Sequence, residues 1–141
     1  MSQNTGGGPL PLSLFLLRVS LGGFLLVWAI DKLVRPESTV KIFHVFYAMG
    51  ISTNIALGLG VLQVILCLAF ILGVFKTITY GVALAIHAVS TLSTYNHLLH
   101  PYTGNNHLFL AAIPVLAAFV VLFLMRQEDT FLSLGTQHRQ D

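Results

Sequence analysis

An apolar stretch between Pro11 and Lys41, long enough to cross a bilayer, carries an arginine, Arg18, in its first half and ends on the pair Asp31-Lys32. A charge inside a membrane span costs at least about 2.5–3.5 kcal/mol on insertion scales, so it snorkels, pairs or lines a polar interior. Helical rise puts roughly 20 Å between Arg18 and Asp31. The two cannot pair within one helix, and each must find headgroups, water or groups on neighbouring helices. For Arg18 the simplest of these is snorkelling, because its long side chain reaches the near interface from only about 9 Å inside the span.

Composition extends this to the whole chain. Of its 141 residues 55% are hydrophobic and only 9% charged, against about 25% charged in soluble domains. The chain therefore reads as an integral membrane protein, all-α, with length for about four spans of ~20 residues. A net charge of +2 is too small to point to nucleic acid. The single cysteine, Cys67, excludes an internal disulfide and a CxxC relay. The opening MSQNTGGGPLPLS has no basic residue ahead of the apolar run, which argues against a cleaved signal peptide. Residues 1–11 are expected to be a flexible lead-in, 12–126 a four-span membrane domain and 127–141 a short polar tail.

Span one is expected over about Leu12–Val34. Pro36 and Glu37 then suit a first helical turn, and Val40, Phe43, Phe46 and Tyr47 recur at helical spacing with Lys41 and His44 on other faces. That pattern predicts a short amphipathic helix at the interface, between spans one and two of a four-helix bundle. Span two, about Ile55–Phe75, places Gln63 and Cys67 on one face and offers Ala56 and Gly60 as a small-xxx-small pair. Gln63 reads first as an interhelical hydrogen bond. The short join through Lys76 makes spans two and three antiparallel neighbours.

Span three, about Ile78–Leu98, is the most polar: His87, Ser90, Thr91 and Thr94 form an expected inward stripe. His87 reads either as a neutral histidine bonded to a neighbouring helix or as a ligand. His97, His100 and His107 follow within a turn region, but no carboxylate or cysteine joins them and their spacing fits no closed zinc motif. They are weak metal candidates. Span four, about Leu108–Met125, is expected to kink at Pro114. Positive charges divide almost evenly between the two sides: Arg18, Lys76, Arg126 and Arg139 against Lys32, Arg35 and Lys41. Orientation therefore does not follow from them. Hydrolase and nucleotide motifs are absent from the sequence.

The residues Leu16-Leu17-Arg18, Leu21-Gly22, Phe24, Trp28-Ala29 and Asp31-Lys32-Leu33, followed by Pro36, resemble the opening of the DoxX family of small bacterial membrane proteins. Gly73-Val74-Phe75-Lys76 is similar to the family's second-span ending, while Ala29-Ile30 stands where a glycine is common. The resemblance implies a four-helix bundle in the bacterial cytoplasmic (inner) membrane. It also implies a link to respiratory, sulfur or thiol redox chemistry, including a thiosulfate:quinone oxidoreductase subunit. It carries over no catalytic residue.

Three functions follow as expectations. The preferred one is an accessory or scaffold subunit of a redox-linked membrane complex, in which Arg18, Gln63 and His87 satisfy one another's helices. The second is a quinone-binding oxidoreductase subunit. There Arg18, Lys32 and His87 donate to quinone oxygens, Asp31 exchanges protons, and Gln63 and Thr91 complete the candidate ligand set. It requires a redox partner protein, since the sequence carries no cysteine cluster or flavin signature. The weakest is a haem or metal site pairing His87 with His97, His100 or His107. Quinone is the one candidate cofactor. The expected partners are the lipid bilayer, a redox protein and a second copy of the chain.

Overall fold

A computed structural model describes residues 8–135, and all regular structure in them is helical. The order is α1 (Pro9–Val34), α2 (Pro36–Tyr47), α3 (Thr53–Leu72), α4 (Lys76–Ser93), α5 (Tyr95–Leu99), a 3-10 run (Asn106–Ala111) and α6 (Ala112–Leu124). Three stretches are long and apolar enough to cross a membrane: Pro9–Val34, Thr53–Leu72 and Asn106–Leu124.

Local chemistry sets the boundaries. Pro9 opens α1, where a missing N–H costs nothing, so the expected lead-in is already helical from Pro9. Its residues 1–7 lie outside the described part, as do 136–141 of the tail, including Arg139. Pro36 bars Arg35 from helical geometry, and Arg35 sits at φ −133°, ψ 65°. Ser52 caps α3, its Oγ accepting from the Ile55 N–H at 3.2 Å. Gly73 ends α3 at φ +70°, the left-handed conformation glycine adopts without penalty.

α1 and α3 run antiparallel at close range. A methyl at Gly22 would lie 2.3 Å from Cγ1 of Ile71, and one at Gly60 would lie 2.8 Å from Leu33. The two glycines therefore set the helix spacing. The buried face of α1 is Leu14, Arg18, Leu21, Gly22, Leu25 and Ala29, and that of α3 is Ala56, Gly60, Gln63, Cys67 and Phe70, both at helical period. α4 packs on α6, with Gly81 facing Phe123. α2 lies across α1 and α3. Val40, Phe43, Phe46 and Tyr47 are half-buried and Lys41 and His44 exposed, as its pattern predicts, while the most buried residue is Thr39, which that pattern did not single out.

Large apolar side chains also cover much of the exterior. Val27, Leu62 and Leu124 are 67%, 65% and 66% exposed, and helices apolar on every side fit a lipid surrounding rather than water.

Three expectations need correction. The third apolar segment breaks at Thr94, so His97 lies on the separate α5. Its inward stripe is Tyr80, Ala83, His87 and Thr91, while Ser90 is exposed. Pro114 falls in the first turn of α6, two residues after the 3-10 run passes into α-helix, so the irregularity proline imposes coincides with that change of helix type rather than a bend within α6.

Candidate functional site

The start of α1, the α3–α4 turn and the segment after α6 meet at one end of the molecule, and Arg18 lies at their junction. It does not snorkel. Its side chain and that of Asp129 are both 0% exposed, joined by Nη1 donating to Oδ1 at 2.7 Å. Nη2 donates to the carbonyls of Phe131 and Leu132, each at 2.9 Å. The Tyr80 hydroxyl donates to the second Asp129 oxygen at 2.5 Å, and the Lys76 ammonium donates to the Asp129 carbonyl.

Each position has a cause in the fold. Arg18 sits on the buried stripe of α1, with Phe15 beside its guanidinium. Tyr80 is held by packing against Phe70, ring centres 4.8 Å apart. The segment from Met125 to Gly135 folds back under the helices, where the Leu134 and Gly135 N–H groups donate to the carbonyls of Leu72 and Gly73. The expected polar tail is, in its described part, a strap that supplies the counter-charge for a buried arginine. One donor is left over: Arg18 Nε is buried without a partner among the described residues.

The other sequence candidates lie at different levels. Gln63 donates to the Leu25 carbonyl across the α1–α3 contact at 3.0 Å. Gln63→Leu should cost only about 0.6 kcal/mol in a membrane interior, a shift measurable by reversible unfolding in mixed micelles. His87 lies between Phe24 and Phe119, and its Nε2 is 3.0 Å from the Ala112 carbonyl. A carbonyl only accepts, so Nε2 carries the proton. The Thr91 hydroxyl donates to the His87 carbonyl at 2.8 Å and is thereby occupied. Asp31 accepts from Arg35 one turn on, and Lys32 reaches back to the Trp28 carbonyl at 3.4 Å. Arg18 and Lys32 are roughly 20 Å apart along α1. A single quinone headgroup cannot bridge them.

The loop histidines divide. His97 and His100 line an open cleft of about 330 Å³ with Asn96, Thr103 and Asn106, whereas His107 is exposed outside it. His97 is stacked between Phe46 and Phe109. Among the described residues no three His, Cys, Asp or Glu side chains gather as a metal site.

No family model, curated protein or solved structure matches this chain. The functional reading therefore rests on the residues and their contacts.

The sequence reasoning overlooked Asp129, Tyr80 and Lys76 as the partners of Arg18. A signal for Asp129 was present. Under the four crossings expected from the sequence the chain's two ends share a side, which brings Asp129, shortly after the last apolar segment, to the level of Arg18, in the first half of the first.

Proposed function

We propose that the chain is a DoxX-like multi-pass protein of the bacterial cytoplasmic membrane, acting as an accessory or scaffold subunit of a respiratory or other redox-linked complex. The family, the membrane and the redox link come from the sequence resemblance, and one observation favours the scaffold role within them: the polar side chains best placed to hold a cofactor between helices are already held by the protein itself. Arg18 has Asp129, Gln63 has the Leu25 carbonyl and His87 has the Ala112 carbonyl. In a medium without water, such groups serve to fix helix positions.

The proposal takes α4 as a fourth crossing. Its outward side chains include Ile78, Val82, Val89 and Leu92, with Thr77 and Ser90 the exposed hydroxyls, and its larger polar groups Tyr80 and His87, with Thr91, are buried. That is the pattern of a helix facing lipid on one side and protein on the other. Four crossings also accord with Arg18 and Asp129 meeting at one end.

Native mass spectrometry of the protein released from mild detergent tests the reading, with His87→Phe alongside. His87→Phe keeps a ring between Phe24 and Phe119 and loses one hydrogen bond, so it should cost about 1 kcal/mol. The scaffold reading expects wild type and variant to show the same masses, as the bare chain, an oligomer or a complex with a protein subunit. A quinone or haem mass retained by wild type and lost from His87→Phe would overturn it.

A further inference from the structure

We propose that Arg18, Tyr80 and Lys76 form a carboxylate-binding site occupied in cis by Asp129, for which a free small carboxylate competes with the C-terminal strap. The proposal goes beyond the scaffold reading and does not rest on it.

The donors belong to helices whose packing fixes them. Arg18 stands on α1 among Leu14, Leu21 and Gly22, and Tyr80 stands on α4 against Phe70. From these two walls, one donor addresses each oxygen of a single carboxylate, Nη1 to Oδ1 and the phenol to Oδ2. Two-point recognition of this kind selects a planar, doubly accepting anion. Lys76 adds a second positive charge at the rim.

The occupant is less firmly fixed than the receptor. From Met125 to Gly135 the strap has no helix of its own, and Leu132 adopts φ +47°, a strained conformation for a residue with a side chain. Leu132 and Leu134 are 68% and 69% exposed, so apart from the Phe131 ring against Phe15, centres 5.2 Å apart, little apolar burial holds the strap down. Segments with few buried contacts are the first to open. Asp129 also fits incompletely: tethered to the chain, it takes one Nη of Arg18 and leaves the buried Nε unmatched. Once the strap leaves, Nη2 is free of the Phe131 and Leu132 carbonyls, and an untethered carboxylate can accept parallel bonds from both Nη groups, a geometry arginine favours.

The test is hydrogen exchange of the strap amides, read by mass spectrometry, with the full chain in nanodiscs of neutral phosphatidylcholine so that no lipid anion competes. Acetate is the probe, with chloride at matched ionic strength as control. A short tether presents its ligand at about millimolar effective concentration, so acetate is titrated from about 1 to 100 mM. Exchange across Phe131–Gly135 should accelerate several-fold and saturably in acetate and not in chloride. Identical exchange in the two salts overturns the proposal, and this arm needs no variant.

In Asp129→Asn, which lacks the competing carboxylate, acetate should raise the melting temperature at lower concentration than it releases the wild-type strap. Adding Tyr80→Phe to that variant should move the acetate midpoint up about tenfold, the loss of one bond to a charged acceptor. An unchanged midpoint would likewise overturn the site.

Discussion

Asp129→Ala will lower the stability of the folded protein by about 3–5 kcal/mol, because it strands the Arg18 guanidinium in a place without water or counter-charge. Arg18 and Asp129 are each 0% exposed, so neither can recover hydration without the strap coming away. Arg18→Ala should cost a similar amount: it strands the carboxylate and frees the carbonyls of Phe131 and Leu132 as well. Steric-trapping or detergent-titration unfolding measures the change, and protease susceptibility after Met125 reports whether the strap has detached. A loss below about 1 kcal/mol would place the pair among solvated surface bridges and contradict the buried junction.

The double replacement Arg18→Met with Asp129→Leu should behave differently. Removing both charges removes both desolvation costs, and such exchanges are often neutral or stabilising by about 1–4 kcal/mol. The double variant should therefore be markedly more stable than either single one. That non-additivity separates a buried ion pair from two independent polar contacts.

How much of this was legible in the residues depends on how local the cause is. The helices of α1, α2 and α3 follow from apolar periodicity and Pro36, all within a few residues of the feature they explain, whereas the Ser52 cap of α3 is seen only in the structure. The interhelical role of Gln63 was legible because a lone amide in an apolar span has few other outcomes. The break at Thr94 was not, since nothing nearby in sequence stops a helix there and the turn is completed by the packing of α5 on the 3-10 run. The partner of Arg18 was legible only through the topology, not from any residue near it. Its pairing with Asp129 joins the two ends of the fold, and only the helices' return to a common end brings them within 2.7 Å. Snorkelling was a sound expectation for an isolated helix; a docked strap replaced the headgroup region as the place where the charge is satisfied.

Gly22→Leu should be the other severely damaging substitution, from excess volume rather than lost charge. At Gly22 the added Cβ alone would lie 2.3 Å from Ile71 Cγ1 and 3.1 Å from Phe70 Cδ1, so three further carbons have no space at all. Ile71 is half-buried and can turn only outward, and the fully buried Phe70 beside it, packed on Tyr80 and Phe119, still blocks the added carbons. α1 and α3 must therefore separate, which weakens the close contact that membrane helices use in place of a hydrophobic driving force. Overpacking typically costs about 1–3 kcal/mol, and the upper end applies here because backbone rather than side chain has to move. Gly23→Leu is the control, since a Cβ at Gly23 meets nothing within 4 Å and only lipid-facing surface is added. The same unfolding assay should register a loss of about 3 kcal/mol for Gly22→Leu and almost none for its neighbour. Equal effects at the two positions would mean that α1 presents a different face to α3. The separation should also loosen Tyr80, which rests on Phe70, and through it the donor that holds Asp129. Gly22→Leu should therefore speed exchange of the strap amides although it lies outside the ion-pair junction.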